Sequence, residues 1–372
     1  MKFTIEKAIL LKTLGHVQNI VEKRNTVPVL SNVRIEASND GISFKATDMD
    51  TEITEIVDAK ILENGAITAP AHMLYDIVRK LSDGSEIEPT YPDEKEQLSI
   101  ASGRSKFSLS TIGVEDFPVI SADTLPTNFE MNRDELKDVI DRTQFAASTE
   151  ETRYYLNGLY IHPKNEGETK VLRIVATDGH RLACVETPLP DGAADMEGVI
   201  LPRKTVGEIR KLLDDTSAES VQISLSDSKV RFTLADVTLA SKLIDGTYPD
   251  YERVIPTSND KILELNVKDL ATAVDRVSVV AERTRAIKMI ANKNHVIITT
   301  SSPDFGSAIE EIEATYDSES LEIGYNFRYL LDILAEIKGD TAKFSFSDGA
   351  SPSVIHDTSD AGAIYVLMPM RV

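Results

Sequence analysis

The residues best suited to chemistry are an aspartate and a histidine, Asp178 and His180, within the segment ATDGHRLA. They are two residues apart on a predicted strand or turn, and a strand would point both side chains to one face, as an acid–base pair requires. No serine-nucleophile motif, HExxH motif, cysteine pair or glycine-rich phosphate loop accompanies them. The six histidines also lack metal-ligand spacing. We therefore predict no catalytic residue, no metal and no cofactor, and keep a hydrolase that uses Asp178 and His180 as the alternative.

The composition sets the class of protein. With 372 residues, of which 41% are hydrophobic, the chain is long enough for two or three domains with buried cores. A formal net charge of −21 argues against a simple cationic nucleic-acid binder. The single cysteine, Cys184, excludes an internal disulfide and fits a reducing cytoplasm. No apolar segment has the length of a membrane span and no signal peptide is visible, which disfavours an extracellular β-rich scaffold.

The elements that must position these residues recur three times along the chain. Alternating apolar residues followed by helical spacing occur at Phe3–Val21, Asn128–Ala146 and Ile262–Val280. The corresponding apolar pairs in the three helices are Leu10 and Leu14, Leu136 and Ile140, and Leu270 and Val274. Later in each copy a strand runs into a second amphipathic helix, in ITAPAHMLYDIVRKL, VILPRKTVGEIRKLL and LEIGYNFRYLLDILAEI. Repetition at domain length favours an assembled architecture over one active-site cleft.

The repeat predicts the fold class and the domain boundaries. Strand-like segments in every copy alternate polar and apolar residues, which favours antiparallel sheets with one buried face. Two helices per copy should cover that face, giving an α+β protein of three repeated domains. The turn-rich connectors ADTLPTN and PTSNDK separate the copies, so we predict domains at residues 1–123, 128–255 and 260–372.

Basic residues recur on or beside the predicted helices although the protein is acidic. They could be ordinary solvated faces balanced by Asp and Glu at helical spacing, or a weakly basic lining made by equivalent helices. The candidates for such a lining are Arg24, Arg79, Lys80, Arg133, Lys137, Arg203, Lys204, Arg210, Lys268 and Arg276.

Several specific segments resemble one family over essentially the whole chain. RNTVPVLSN, ETRYYLNG, ATDGHRLA, DGTYPDYERVIP and the ending MPMRV occur in order and are similar to the bacterial DNA polymerase III β subunit, the sliding clamp. The resemblance implies a non-enzymatic, head-to-tail homodimer whose six domains close a ring around duplex DNA, without sequence preference. It also implies partners: the polymerase III catalytic subunit, an ATP-driven clamp loader, and other replication and repair proteins with a clamp-binding motif.

The resemblance assigns roles to particular residues. It implies ring closure by Phe107 and Leu109 of the first domain against Val279 and Val280 of the third. The family's partner-peptide pocket lies between the second and third domains, where an apolar groove with a few polar groups suits a peptide. Its positions fall on Tyr155, Leu156, Thr177, Gly179, His180, Arg181, Leu182, Pro249, Arg253, Val254, Val366, Met368, Pro369, Met370 and Arg371. His180 and Arg181 then become peptide contacts rather than catalysts.

Overall fold

The structure is a computed structural model that describes residues 1–22, 26–92, 97–118, 124–166, 169–281 and 283–372. Arg24 and part of the first predicted connector, residues 122–123, lie outside the described residues. Within these ranges the chain is an α+β protein of antiparallel sheets and six α-helices. The fold class predicted from the repeat is therefore confirmed.

The first copy contains the helices α1 (Lys7–Ile20) and α2 (Ala71–Lys80). Its strands are β1 (Lys2–Glu6), β2 (Asn32–Ser38), β3 (Gly41–Thr47), β4 (Thr51–Val57), β5 (Lys60–Glu63), β6 (Gly65–Pro70), β7 (Glu86–Thr90), β8 (Gln97–Ser102) and β9 (Ser105–Ser110). One sheet has the order β5-β1-β7-β8-β9, which leaves β9 at its edge.

The second copy contains α3 (Arg133–Gln144) and α4 (Arg203–Asp215). Its strands are β10 (Thr127–Asn132), β11 (Gly158–Glu166), β12 (Thr169–Thr177), β13 (Arg181–Pro188), β14 (Val199–Pro202), β15 (Ser220–Leu225), β16 (Lys229–Leu234) and β17 (Val237–Lys242). Strand β17 pairs with β4, so an eight-stranded sheet, β10-β15-β16-β17-β4-β3-β2-β6, joins the first two copies. We call this pairing the first junction.

The third copy contains α5 (Val267–Ala281) and α6 (Phe327–Ala335). Its strands are β18 (Lys261–Asn266), β19 (Ala286–Asn292), β20 (His295–Ser302), β21 (Gly306–Glu313), β22 (Thr315–Tyr316), β23 (Leu321–Asn326), β24 (Thr341–Phe346), β25 (Ser353–Asp357) and β26 (Asp360–Leu367). Strand β26 pairs with β13 inside the nine-stranded sheet β14-β11-β12-β13-β26-β25-β24-β18-β22. This pairing is the second junction. The remaining sheet, β21-β20-β19-β23, ends in β21.

Helical periodicity explains which faces are buried. In α1 the side chains of Leu10, Leu14 and Val17 recur every three or four residues and are almost fully buried. In α5 the corresponding residues Leu270 and Val274 are also fully buried. Alternation does the same for the strands, since β16 and β19 bury every second residue.

The chain divides into two compact units rather than three. The first unit comprises Met1–Asp134, Asp191–Ala193 and Gly207–Leu243, and the second comprises Glu135–Pro190, Ala194–Val206 and Ile244–Val372. Each unit therefore holds one complete junction and its large sheet. The predicted boundaries at 1–123, 128–255 and 260–372 follow the sequence repeat instead and stay a prediction. In the described residues, no helix is both long and apolar enough to span a membrane.

Candidate partner-binding groove

The residues that first suggested acid–base chemistry form a tight turn between β12 and β13. The Asp178 carboxylate accepts hydrogen bonds from the backbone N–H groups of His180 (2.8 Å) and Arg181 (3.0 Å). The Thr177 hydroxyl donates to the Arg181 carbonyl at 2.7 Å, and Gly179 has a φ of +87°, a conformation that favours glycine. The carboxylate thus holds the turn, and of the two placements considered for Asp178 and His180, the structure shows the turn.

Leu182, the second residue of β13 after this turn, belongs to a buried apolar cluster in the second unit, which we call the floor. Leu182 on β13 lies directly opposite Val366 on β26, and both are 2% exposed. The buried members of this cluster are Leu156, Val175, Leu182, Cys184, Ile200, Tyr248, Tyr251 and Val366. Tyr155, Tyr160, Ile244 and Ile255 are partly buried against it. The predicted positions Leu156, Leu182 and Val366 therefore do come together.

Exposed side chains lie within three residues along the chain of two members of this cluster, Val366 and Tyr251. Met368, immediately after β26, is 41% exposed, and Val254, at the end of the 3₁₀ turn Tyr251–Val254, is 52% exposed. Pro249 and Arg253 are exposed as well, and Arg253 pairs with Asp250 at 2.7 Å. Apolar rim residues over a buried apolar floor, with few charged groups, suit a short amphipathic peptide. We call this floor and rim the apolar groove.

The Arg181 side chain is held by contacts within the second unit. Its guanidinium lies over the rings of Phe145 (5.1 Å) and Tyr329 (4.4 Å), a cation–π arrangement. It also donates to the Asp332 carboxylate at 2.5 Å and to Asp178 at 3.2 Å. Arg181 therefore positions the turn, whereas His180 stays exposed beside Tyr329, with ring centroids 6.2 Å apart.

The last residues leave the sheet and are held by backbone contacts. The Met368 N–H donates to the His180 carbonyl (2.9 Å), and the Met370 N–H donates to the Gly324 carbonyl (2.8 Å). A side chain at Gly324 would collide with the Met370 carbonyl oxygen and with the Val372 side chain. Strand β26 ends at Leu367, so Met368–Val372, which includes Pro369 and Arg371, forms a separate strap beside the groove.

An aromatic scaffold within and beside the same buried cluster was not identified from the sequence. Tyr160 stacks on Tyr248 with ring centroids 4.7 Å apart, and His162 donates or accepts at the Tyr251 hydroxyl over 2.8 Å. Burial raises the pKa values of Tyr248 and Tyr251, which therefore stay neutral. The signal was present in the two tyrosines of DGTYPDYERVIP, but sequence spacing alone does not show that they face the groove.

The predicted ring-closing residues lie on an edge strand of the first copy and near the end of a helix of the third. Phe107 is 38% exposed on the edge strand β9, where Leu109 is half-buried. Val279 is 75% exposed near the end of α5, and Val280 is half-buried. Sequence reasoning missed Ile309, which is 71% exposed on the other edge strand, β21.

Half of the predicted basic lining is paired with carboxylates. Arg79 pairs with Asp76, Arg133 with Asp134, Arg210 with Asp214, Lys268 with Asp340 and Arg276 with Glu310. Lys80, Arg203 and Lys204 are exposed, and Lys137 is half-buried. Paired surface cations carry little net field, so the alternative of balanced solvated faces describes much of this set.

Known sliding clamps match the chain along its full length. Three models of the DNA polymerase III β subunit match this chain. The model of the N-terminal domain matches residues 1–121, that of the central domain matches 130–250, and that of the C-terminal domain matches 252–371. The chain is 50% identical to the β sliding clamp of Caulobacter vibrioides and 37% identical to that of Pseudomonas aeruginosa, with 100% of both chains covered in each comparison. It belongs to the DNA polymerase III β sliding clamp family.

Solved clamp structures have the same fold. A Caulobacter crescentus β sliding clamp, crystallised with polyethylene glycol, superposes with a TM-score of 0.97 at 50% identity, over 100% of this chain and 99% of that one. A Bartonella birtlesii sliding clamp bound to griselimycin also gives 0.97, at 47% identity and full coverage of both chains. The chain is thus a processivity subunit of DNA polymerase III built from three clamp domains, and a non-catalytic one. The hydrolase alternative is withdrawn.

Proposed function

We propose that this clamp subunit binds partner peptides in the apolar groove at the second junction, once per chain. The observation that carries the proposal is the pairing of Leu182 with Val366 within a buried apolar cluster, with Met368 and Val254 exposed on the segments that leave it. A peptide with two apolar anchors, of the form Gln-x-x-Leu-Phe, fits such a surface. Two anchors in a preformed site give roughly micromolar affinity, about −8 kcal/mol.

Deletion of the strap is the experiment that tests this proposal. Deleting Met368–Val372 removes three exposed apolar side chains, Met368, Met370 and Val372, and the contacts to Gly324, but leaves β9 and β21 intact. We expect the truncated protein to keep its assembly state, to lose the peptide and to stop stimulating polymerase. Calorimetric titration of one peptide into both forms measures the loss, and undiminished binding would move the site elsewhere.

The ring is proposed from two open sheet edges in one chain. Strands β9 and β21 each end a sheet, and each carries an exposed apolar residue, Phe107 and Ile309. An unpaired edge invites another strand, and a head-to-tail contact between two copies closes after two subunits. Replacing Val279 and Val280 by Asp should give a monomer in sedimentation, because two unpaired charges would be buried at each contact. A variant that remains dimeric would refute this placement.

We propose that the ring holds duplex DNA weakly and without sequence preference. Support comes from the net charge of −21 and from the ion pairs that engage Arg133, Arg210 and Arg276. Cations that already pair with carboxylates neutralise fewer phosphates and release fewer counterions, so direct affinity should be low and fall with salt. Retention on nicked circular DNA, and loss on linearisation, is the test. Tight binding to short linear duplexes would contradict a sliding role.

The partners we propose follow from the same function. They are the polymerase III catalytic subunit, a clamp loader, and further replication and repair proteins that carry the peptide motif, all acting on DNA in the cytoplasm. Competition between peptides from such partners for one groove per chain is the expected behaviour. Two peptides that bind the same chain together would contradict it.

A further inference from the structure

The first helix of every copy carries a basic residue at its tenth position. These residues are His16 in α1, Arg142 in α3 and Arg276 in α5. Arg142 is 4% exposed, and its Nη1 lies 2.8 Å from the Asp360 carboxylate and 3.3 Å from that of Asp138. Arg276 makes two hydrogen bonds to the Glu310 carboxylate, at 2.7 and 2.9 Å. The equivalent position is therefore used repeatedly to hold carboxylates, but only His16 titrates near neutral pH.

Both ring nitrogens of His16 face carboxylates. His16 is 7% exposed, with Nδ1 2.8 Å from Glu55 Oε2 and Nε2 3.2 Å from Asp215 Oδ2. The other Glu55 oxygen accepts from the Thr13 hydroxyl at 2.9 Å. A neutral imidazole has one N–H and can donate to only one carboxylate, whereas the imidazolium donates to both. The geometry is therefore complete only when His16 is protonated.

The three partners come from different elements of the first unit. His16 is on α1 and Glu55 on β4, both in the first copy, while Asp215 is the last residue of α4 in the second copy. Lys12, one turn before His16, donates to the Asp215 backbone carbonyl at 2.7 Å. Cations at the carboxyl end of a helix also stabilise its dipole. His16 thus ties the first copy to the second beside the β4·β17 pairing.

Solvent and other charged groups reach this cluster from two sides. Cavities of about 380 Å³ and about 690 Å³ both include His16 and Asp215 in their walls. The charged groups that line them are Lys7, Lys12, Asp40, Glu55, Asp58, Asp83, Lys211, Asp215 and Asp236, and the second cavity also includes Tyr75. Protons can therefore exchange without unfolding, in a mostly acidic surrounding.

The protonation of His16 sets the direction of the effect. Burial lowers the pKa of His16, but the hydrogen bonds and charges of Glu55 and Asp215 outweigh burial, so its pKa is raised. Because the folded state binds the proton more tightly than the unfolded state, the added stability is complete below the ordinary pKa. It is lost as the pH rises through the folded pKa.

We propose that His16 is a pH-dependent link between the first two copies at the first junction, which we call the clasp. The protonated ring donates hydrogen bonds to both Glu55 and Asp215, and the neutral ring can donate to only one of them. The second junction, with Arg142 at the same position, has a permanent clasp. The first two copies of the clamp thus become more easily separable as the pH rises through the folded pKa of His16, while Arg142 keeps its charge over the same range. This role is separate from peptide binding, which uses the second junction.

Hydrogen exchange on the full-length protein across a pH series tests the clasp. After correction for intrinsic exchange, the opening constant of residues 7–20 and 207–215 should rise by up to tenfold per pH unit between the ordinary and folded pKa values of His16, and then level off. His16→Arg should remove this pH dependence, as a permanent cation. His295→Gln, at a histidine of the third copy, should leave it intact and is the matched control.

A second variant keeps the histidine and removes the cross-copy contact. Asp215 is more than half exposed, so Asp215→Asn should fold, and it should lower the pKa of His16 measured by NMR titration. It should also flatten the pH dependence of exchange in residues 207–215. The proposal is overturned if His16 titrates at or below the ordinary histidine pKa. It is also overturned if His16→Arg and Asp215→Asn retain the full pH dependence of the unchanged protein.

Discussion

The two junctions share a backbone but not a lining. At the second junction the Asp178 turn places the His180 carbonyl to accept from the Met368 N–H at 2.9 Å. At the first junction Asp48 makes the same turn: it accepts from the N–H groups of Asp50 (2.9 Å) and Thr51 (2.6 Å). There the Asp50 carbonyl accepts from the Lys242 N–H at 2.8 Å. Sheet continuity between copies, rather than ligand binding, therefore explains the turn.

The side chains at equivalent positions have opposite character. Leu182 opposes Val366 at the second junction, and Glu52 opposes Ala240 at the first. Glu52 is 8% exposed and pairs with Lys45 at 3.2 Å, while Lys242 pairs with Asp50 at 2.9 Å where the second junction has Met368 and His180. Charged, mutually paired side chains present no apolar floor. The same backbone pairing thus has an apolar lining at the second junction and a charged lining at the first.

Giving the second junction the charge of the first should have the largest effect. Leu182→Glu places an acid where Leu182 is 2% exposed and where the position equivalent to Lys45 has the apolar Val175. An unpaired buried charge costs several kcal/mol, so peptide affinity should fall by at least about 100-fold in calorimetry. Met368→Lys repeats the change at an exposed position and should weaken binding by about tenfold. Wild-type affinity in both variants would show that the peptide does not bind at Leu182 and Met368.

Displacing the strap should have a smaller effect. In Gly324→Ala the new methyl group meets the Met370 carbonyl and the Val372 side chain, so Met368–Val372 must shift. We expect about a five- to tenfold loss of peptide affinity and a melting temperature lowered by only a few degrees, because the shift costs about 1 kcal/mol. Gly207→Ala, on α4 with open space around the position and no left-handed backbone, is the control for a glycine substitution. Equal losses in both would point to a general effect.

The permanent clasp of the second junction has a pH-dependent neighbour. Burial, followed by the charge of Asp141, raises the pKa of Glu336 to about 7. An acid whose folded pKa is raised destabilises the protein as the pH climbs from the ordinary value through 7. Glu336→Gln should therefore raise stability at pH 8 by about 1 kcal/mol, discounted for partial exposure, and change nothing at pH 4. Chemical denaturation at both pH values measures it, and a gain at pH 4 would contradict the assignment.

Converting the first junction should have the smallest effect. Glu52→Leu with Lys242→Met supplies two apolar side chains but not the tyrosines Tyr248 and Tyr251 of the second junction's cluster. We expect no measurable peptide binding at millimolar concentration in a protein whose own groove is blocked by Leu182→Glu. Recovered binding would show that Tyr248 and Tyr251 are dispensable.

The repeat predicted the fold because hydrophobic period and turn residues are local signals. Leu10, Leu136 and Leu270 fall on buried helix faces for the same reason in all three copies. The groove positions came from resemblance to a family, since Leu182 and Val366 are far apart in sequence and only strand pairing joins them. The roles of Tyr160 and of Ile309 on β21 could not be predicted, because each looks like an ordinary strand residue in the sequence. The role of His16 could not be predicted either, because it depends on a contact with Asp215, a residue of the next copy.

The open edges of β9 and β21 also bear on how the protein behaves when dilute. A lone chain exposes two rows of unpaired backbone N–H and C=O groups, together with Phe107 and Ile309. If two copies satisfy each other's edges, mass action makes the melting temperature rise with protein concentration. Below the dissociation constant the edges become available to any extended chain, and intermolecular strand pairing leads to aggregation. Handling and storage concentration would then decide whether a preparation stays active, even with every residue unchanged.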